Sequence, residues 1–73
     1  MNKENIFVKF TKREKQIIKI LMKEVCSRKV LAAMLVLSIS TIDAHMRSIH
    51  QKTNTHNTAG VVKFAFENPS TLL

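Results

Sequence analysis

The chain has 73 residues with 12 Lys and Arg against 5 Asp and Glu, a formal net charge of +7, and a single cysteine. A chain this short buries only about 60% of its unfolded surface, too little to enclose a multi-step catalytic cavity or a large cofactor, and one cysteine builds no internal disulfide framework. Cations in such excess point to a polyanion, with nucleic acid ahead of an anionic membrane: the sequence has no long basic amphipathic stripe and no apolar run of the roughly 20 residues that span a bilayer. The polar start, with no apolar stretch behind it, fits a reducing cytoplasm rather than secretion.

One Gly, one Pro and neither Trp nor Tyr leave little hairpin chemistry, so the expected class is all-α. Residues 1–9 read as an N-terminal arm whose Ile6, Phe7 and Val8, with Phe10 just beyond, are free to fold back on a core. Thr11 followed by Glu14 forms a capping box and predicts a helix over about residues 12–24. Ile17, Ile18, Leu21 and Val25 would face inward and Lys12, Lys15, Lys19 and Lys23 outward. Ser27 caps a second helix, Arg28 to Leu35, with Val30, Leu31, Met34 and Leu35 as its buried stripe.

Val36 and Leu37 interrupt the pattern, and Ser38 caps a third helix that must cross the second sharply because the link is so short. Ile42, Met46 and Ile49 form its inward face, leaving Ser40, Thr41, Asp43, Ala44, Arg47 and Gln51 on other faces. Residues 53–57 are a polar turn, Asn57 caps a fourth helix, Asn68-Pro69 ends it, and residues 70–73 are expected to fray. On the fourth helix the apolar residues cover an arc of roughly 220°, against the ~100° stripe that one core needs. Val61, Phe64 and Ala65 are assigned to the core, and Ala59, Val62 and Phe66 to a second copy of the chain.

Two helices on a tight link, the second with a polar outer face, form the helix-turn-helix unit. The particular residues are Phe10-Thr11-x-Arg13-Glu14, Ile17-Ile18, Ser27-x-Lys29-x-Leu31-Ala32 and Leu35-x-Leu37-Ser38-x-x-Thr41-Ile42-x-x-His45. Together with Ile49, Lys52, Asn54, Asn57 and Val61-Val62-x-Phe64-Ala65, this resembles the LuxR-type helix-turn-helix domain, the output domain of the NarL and FixJ response-regulator classes and of GerE-like free-standing regulators. The match runs from residue 10 to residue 67, which sets the domain at 10–68, the arm at 1–9 and a C-terminal tail at 69–73.

The resemblance implies a four-helix domain whose third helix reads DNA and whose fourth makes a dimer. It implies a sequence-specific transcriptional regulator, or its isolated output domain, acting as a homodimer on double-stranded DNA, with RNA polymerase or another regulator as a further partner. Carried over by position, Asp43, Ala44 and Arg47 match base-reading residues, and Thr41, His45 and Lys52 match residues that face the phosphate backbone. The chemistry agrees: Arg47 can donate twice to guanine and Ala44 can meet a thymine methyl. Thr41 suits equally a first-turn residue bonded to its own helix. The sequence departs from the family at Asp43, where Lys is frequent, at Val25 for Gly, at Thr53 for Leu and at Val30 for Glu.

Other signals are weaker. His45 and His50 are about 140° apart on a helix and no Cys or carboxylate completes a set with them and His56, so neither a metal nor another cofactor is expected. Cys26 reads as a small buried hydrophobe, with a redox-sensing thiol as the alternative, and Met22, Met34 and Met46 as core filler. No phosphate-binding glycine loop and no triad or paired-carboxylate pattern is present, so an enzyme is not expected. A sigma-factor promoter-reading region is a rival within DNA binding. A module that titrates another regulator through its fourth helix, favoured by the acidic Asp43, is the rival outside it.

Overall fold

The computed structural model describes residues 8–73, so Ile6 and Phe7 of the expected arm lie outside the described residues. The chain forms α1 (Lys12–Lys23), α2 (Arg28–Leu35), α3 (Ile39–Thr53), α4 (Thr58–Glu67) and a short 3-10 helix (Pro69–Leu72). No strand occurs among the described residues, and the all-α class read from the sequence is the class observed.

Each α-helix starts where a short polar side chain can replace the missing turn of backbone. Thr11, Ser27, Ser38 and Asn57 accept from the amides of Glu14, Val30, Thr41 and Gly60, each cap contributing about 1 kcal/mol. The first is a complete capping box: Glu14 N donates to Thr11 Oγ1 at 3.1 Å and Thr11 N donates to Glu14 Oε1 at 2.8 Å.

The helix ends use two different solutions. α1 stops at Lys23 with Glu24 extended at φ −156°, so the turn needs no left-handed residue and Val25 is carried into solvent instead of the core. α2 ends on Val36 in the left-handed region, φ 56° and ψ 49°, where its amide reaches the carbonyls of Ala32 and Ala33. A β-branched residue pays about 1 to 2 kcal/mol for that conformation. The benefit is a link of three residues, across which α2 and α3 bend by 110°.

The core is built from Phe10, Ile17, Ile18, Leu21, Leu31, Ala32, Ile42, Met46, Ile49, Val61, Ala65 and Leu72. Phe10 meets Phe64 edge to face, ring centroids 6.2 Å apart, which ties the segment leading into α1 to α4. On α2 the buried stripe differs from expectation. Leu31, Leu35 and Ala32 span an arc of ~100°, and Val30 and Met34 fall ~60° to 100° outside it. These two are therefore left 43% and 53% exposed, and Met34 is not core filler, whereas Met46 is buried and Met22 partly so.

The C-terminal residues do not fray. Pro69 opens the 3-10 helix, Thr71 Oγ1 donates to Asn68 O at 2.6 Å, and Leu72 is buried in the core cluster. The difference from expectation lies in Leu72, whose burial against distant core residues the local pattern cannot reveal.

Candidate nucleic-acid interface

Three faces of α3 follow from its sequence at ~100° per residue. Ile42, Met46, Ile49 and Thr53 form the buried face. Asp43, Arg47, His50 and Asn54 lie along a second, with Ala44 and Gln51 at its outer edge. Thr41, His45, Ser48 and Lys52 lie along the third.

The second face borders an open cavity of about 580 Å³, whose other walls are Arg28 from the first turn of α2 and Thr55 and His56 from the turn after α3. Asp43 and Arg47, two of the three expected base readers, line it, and Ala44 stands exposed beside them. Arg28 Nε lies 3.3 Å from Asp43 Oδ1, an ion pair that lacks hydrogen-bond geometry and leaves Oδ1 without a hydrogen-bond donor. Asp43 thus carries its own countercharge. Sequence reasoning missed Arg28, because only the 110° bend brings the start of α2 over the start of α3.

Of the residues assigned to the phosphate backbone, Thr41 has its hydroxyl 2.8 Å from that of Ser38, and its amide donates to the same Ser38 Oγ at 3.1 Å. Its hydroxyl serves the cap. His45 is half-buried on the same flank. Lys52 turns toward α1: its Nζ donates to Glu14 Oε1 at 2.6 Å. Glu14 is only 2% exposed. Burial pushes its carboxyl up, but hydrogen bonds from Lys52, Ser48 and the Thr11 amide, with the Lys52 charge, outweigh that and hold it below its usual 4.5. Glu14 therefore does two things: it closes a capping box and it anchors the far end of α3.

The end of α3 is polar where an apolar residue would be ordinary. Thr53 is buried and donates to the carbonyl of Ile49 at 2.9 Å, so its hydroxyl is satisfied inside the helix. Asn54 takes the left-handed conformation that ends the helix, φ 56°. On α4 the three residues assigned to a partner differ: Phe66 is 64% exposed, Ala59 is exposed and Val62 half-buried, while Val61 and Ala65 are fully in the core. Cys26 is half-buried against the core and forms no disulfide. Among the described residues no group of three metal-ligating side chains occurs, and no single helix is long and apolar enough to cross a membrane.

Two short capped helices bent at 110°, braced by α1 and α4, with a polar face on the second of the pair, define a helix-turn-helix DNA-binding domain. The GerE model of bacterial regulatory proteins of the luxR family matches residues 8–65, and the chain belongs to that family, whose domains are DNA-binding regulators of transcription rather than enzymes. No curated protein and no solved structure matches the chain.

Proposed function

We propose that the chain is a sequence-specific transcriptional regulator, or the output domain of one, that binds double-stranded DNA as a homodimer with α3 in the major groove. The observation that carries this reading is the exposed face of α3, where Arg47 and the Arg28-paired Asp43 stand together on a domain of net charge +7. Arg47 donates to a guanine edge, Ala44 meets a thymine methyl, and Asp43 accepts from a cytosine amino group. Thr41, His45 and Lys52 face the phosphate backbone from the third flank of α3, Lys52 with an ammonium already shared with Glu14. Ala59, Val62 and Phe66 pair two α4 helices across a two-fold axis. The reader helices then sit about one DNA turn, ~34 to 36 Å, apart on a rough palindrome. A cytoplasmic, nucleoid-associated location and contacts with RNA polymerase or another regulator belong to the same reading.

Selection of bound duplexes from a random pool, followed by a salt series on the winner, tests it. A shared two-fold motif whose affinity falls steeply with salt is the expected result. The absence of enrichment together with salt-independent binding would reject DNA reading. That outcome favours the second reading, an interaction module that captures another regulator on α4, which the exposed Phe66 ring supports.

A further inference from the structure

His50 lies on the cavity face of α3 and carries a chain of hydrogen bonds whose direction can be worked out. Its Nδ1 is 2.8 Å from Thr55 Oγ1, and Thr55 Oγ1 is 2.8 Å from Thr53 Oγ1. Thr53 Oγ1 donates to the Ile49 carbonyl at 2.9 Å. A threonine hydroxyl has one proton. Thr53 gives its proton to Ile49 and must accept from Thr55. Thr55 in turn gives its proton to Thr53 and must accept from His50. Nδ1 is therefore the protonated nitrogen of the neutral ring, and Nε2 is bare. A second proton can enter only at Nε2, where it turns an acceptor into a donor.

The charged and titratable groups that share the cavity with this ring are Arg28 from α2, Asp43 and Arg47 from α3, and His56 from the following turn. Two arginines against one aspartate leave the cavity cationic, with Asp43 already paired to Arg28. Burial first, then the charges of Arg28 and His56, hold the imidazole of His50 below its ordinary 6.5. An anion in the cavity opposes both charge effects. It would accept from a protonated Nε2.

We propose that this cavity is a phosphate-oxygen subsite that takes up its anion together with a proton on His50 Nε2. The identification of the source as a DNA backbone phosphate rests on the DNA-binding reading; free inorganic phosphate offers the same chemistry. The proton comes from solvent, and no covalent bond is made. Because the coupling is reciprocal, an anion that raises the affinity of His50 for a proton must itself bind more weakly as pH rises.

Nitrogen-detected NMR of the imidazole rings in the full chain tests the proposal, in buffer alone, with inorganic phosphate, and with a mixed-sequence duplex whose binding is followed separately by mobility shift. In buffer the neutral His50 ring should be the Nδ1–H tautomer. Saturating duplex should raise its pKa by about one unit, which corresponds to roughly tenfold tighter binding at low than at high pH. A rise with phosphate alone makes the cavity a general oxyanion site, and a rise with duplex only assigns it to the backbone.

The His50→Gln variant, checked for helix content by circular dichroism, should lose most of the pH slope, and His56→Gln should keep it. An Nε2–H tautomer, a pKa unmoved by either anion, or a slope that survives His50→Gln and vanishes in His56→Gln overturns the proposal. If duplex binds but neither it nor phosphate moves the ring, the subsite falls and DNA binding stands. If phosphate shifts the ring and duplex does not bind, the subsite stands and the DNA reading falls.

Discussion

Replacing Lys52 by Met keeps the aliphatic stem of the side chain and deletes the ammonium that Glu14 Oε1 holds at 2.6 Å. Removing one partner of a fully buried pair costs about 3 to 5 kcal/mol, because it leaves the other charge uncompensated. Here the carboxylate is buried, but the lysine side chain is 32% exposed, and Thr11 and Ser48 still hydrogen-bond Glu14. The cost is therefore smaller, about 2 kcal/mol. In a domain of this size that lowers the melting temperature by roughly 8 to 16 °C at pH 7.

The pH dependence adds a second check. In the parent the Glu14 pKa lies below 4.5, so the stabilisation from ionised Glu14 is present above about 4.5 and is lost as pH falls through the folded value. In Lys52→Met the burial that pushes the carboxyl up has lost its strongest opponent, so the variant protonates earlier and loses less on further acidification. The gap between parent and variant should narrow from pH 7 to pH 3. Thermal unfolding followed at 222 nm, at both pH values, measures it. A variant that melts within about 2 °C of the parent at pH 7, or a gap that widens on acidification, would refute the bracing role of the pair.

Arg47→Ala should weaken binding to a selected operator by on the order of 1 to 3 kcal/mol and flatten preference at one base pair, read by competition binding against single-base variants. Val62→Lys should leave the helical spectrum intact while abolishing self-association in analytical ultracentrifugation; loss of the fold would place Val62 in the core instead of at an interface. Leu72→Ala should cost about 2 to 3 kcal/mol in urea unfolding, because it empties a buried site, and an unchanged midpoint would mean that the 3-10 helix does not hold the core.

Local chemistry was legible in the sequence wherever it is decided within one turn of helix. All four N-caps fall at Thr11, Ser27, Ser38 and Asn57 as their side chains dictate. The inward rows Ile17-Ile18-Leu21 and Ile42-Met46-Ile49 are buried for the same reason. What the sequence hid depends on distance. Val30 and Met34 were misassigned because an eight-residue helix shows its neighbour only the arc that the preceding and following turns aim, and Leu72 because a tail is held by what it lands on. The pairs Arg28–Asp43 and Glu14–Lys52 join residues on different helices, so no periodicity announces them. For Asp43 the missing information was its countercharge, which sits on α2.

Gly60 is the single glycine of the chain, in the first turn of α4, and a Cβ built there would sit 3.1 Å from Thr55 Cβ and 3.3 Å from Asn57 Oδ1. Alanine at this position would ordinarily gain about 1 kcal/mol of helix propensity. Here the gain is set against two neighbours that are both already engaged, Asn57 in the cap of α4 and Thr55 in the hydrogen bond to His50. The missing side chain therefore lets the turn before α4 close against the helix's first turn. A methyl group placed there would press on Thr55, whose hydroxyl is hydrogen-bonded to the imidazole of His50, so the first turn of α4 is coupled through one contact and one hydrogen bond to the cavity beside α3.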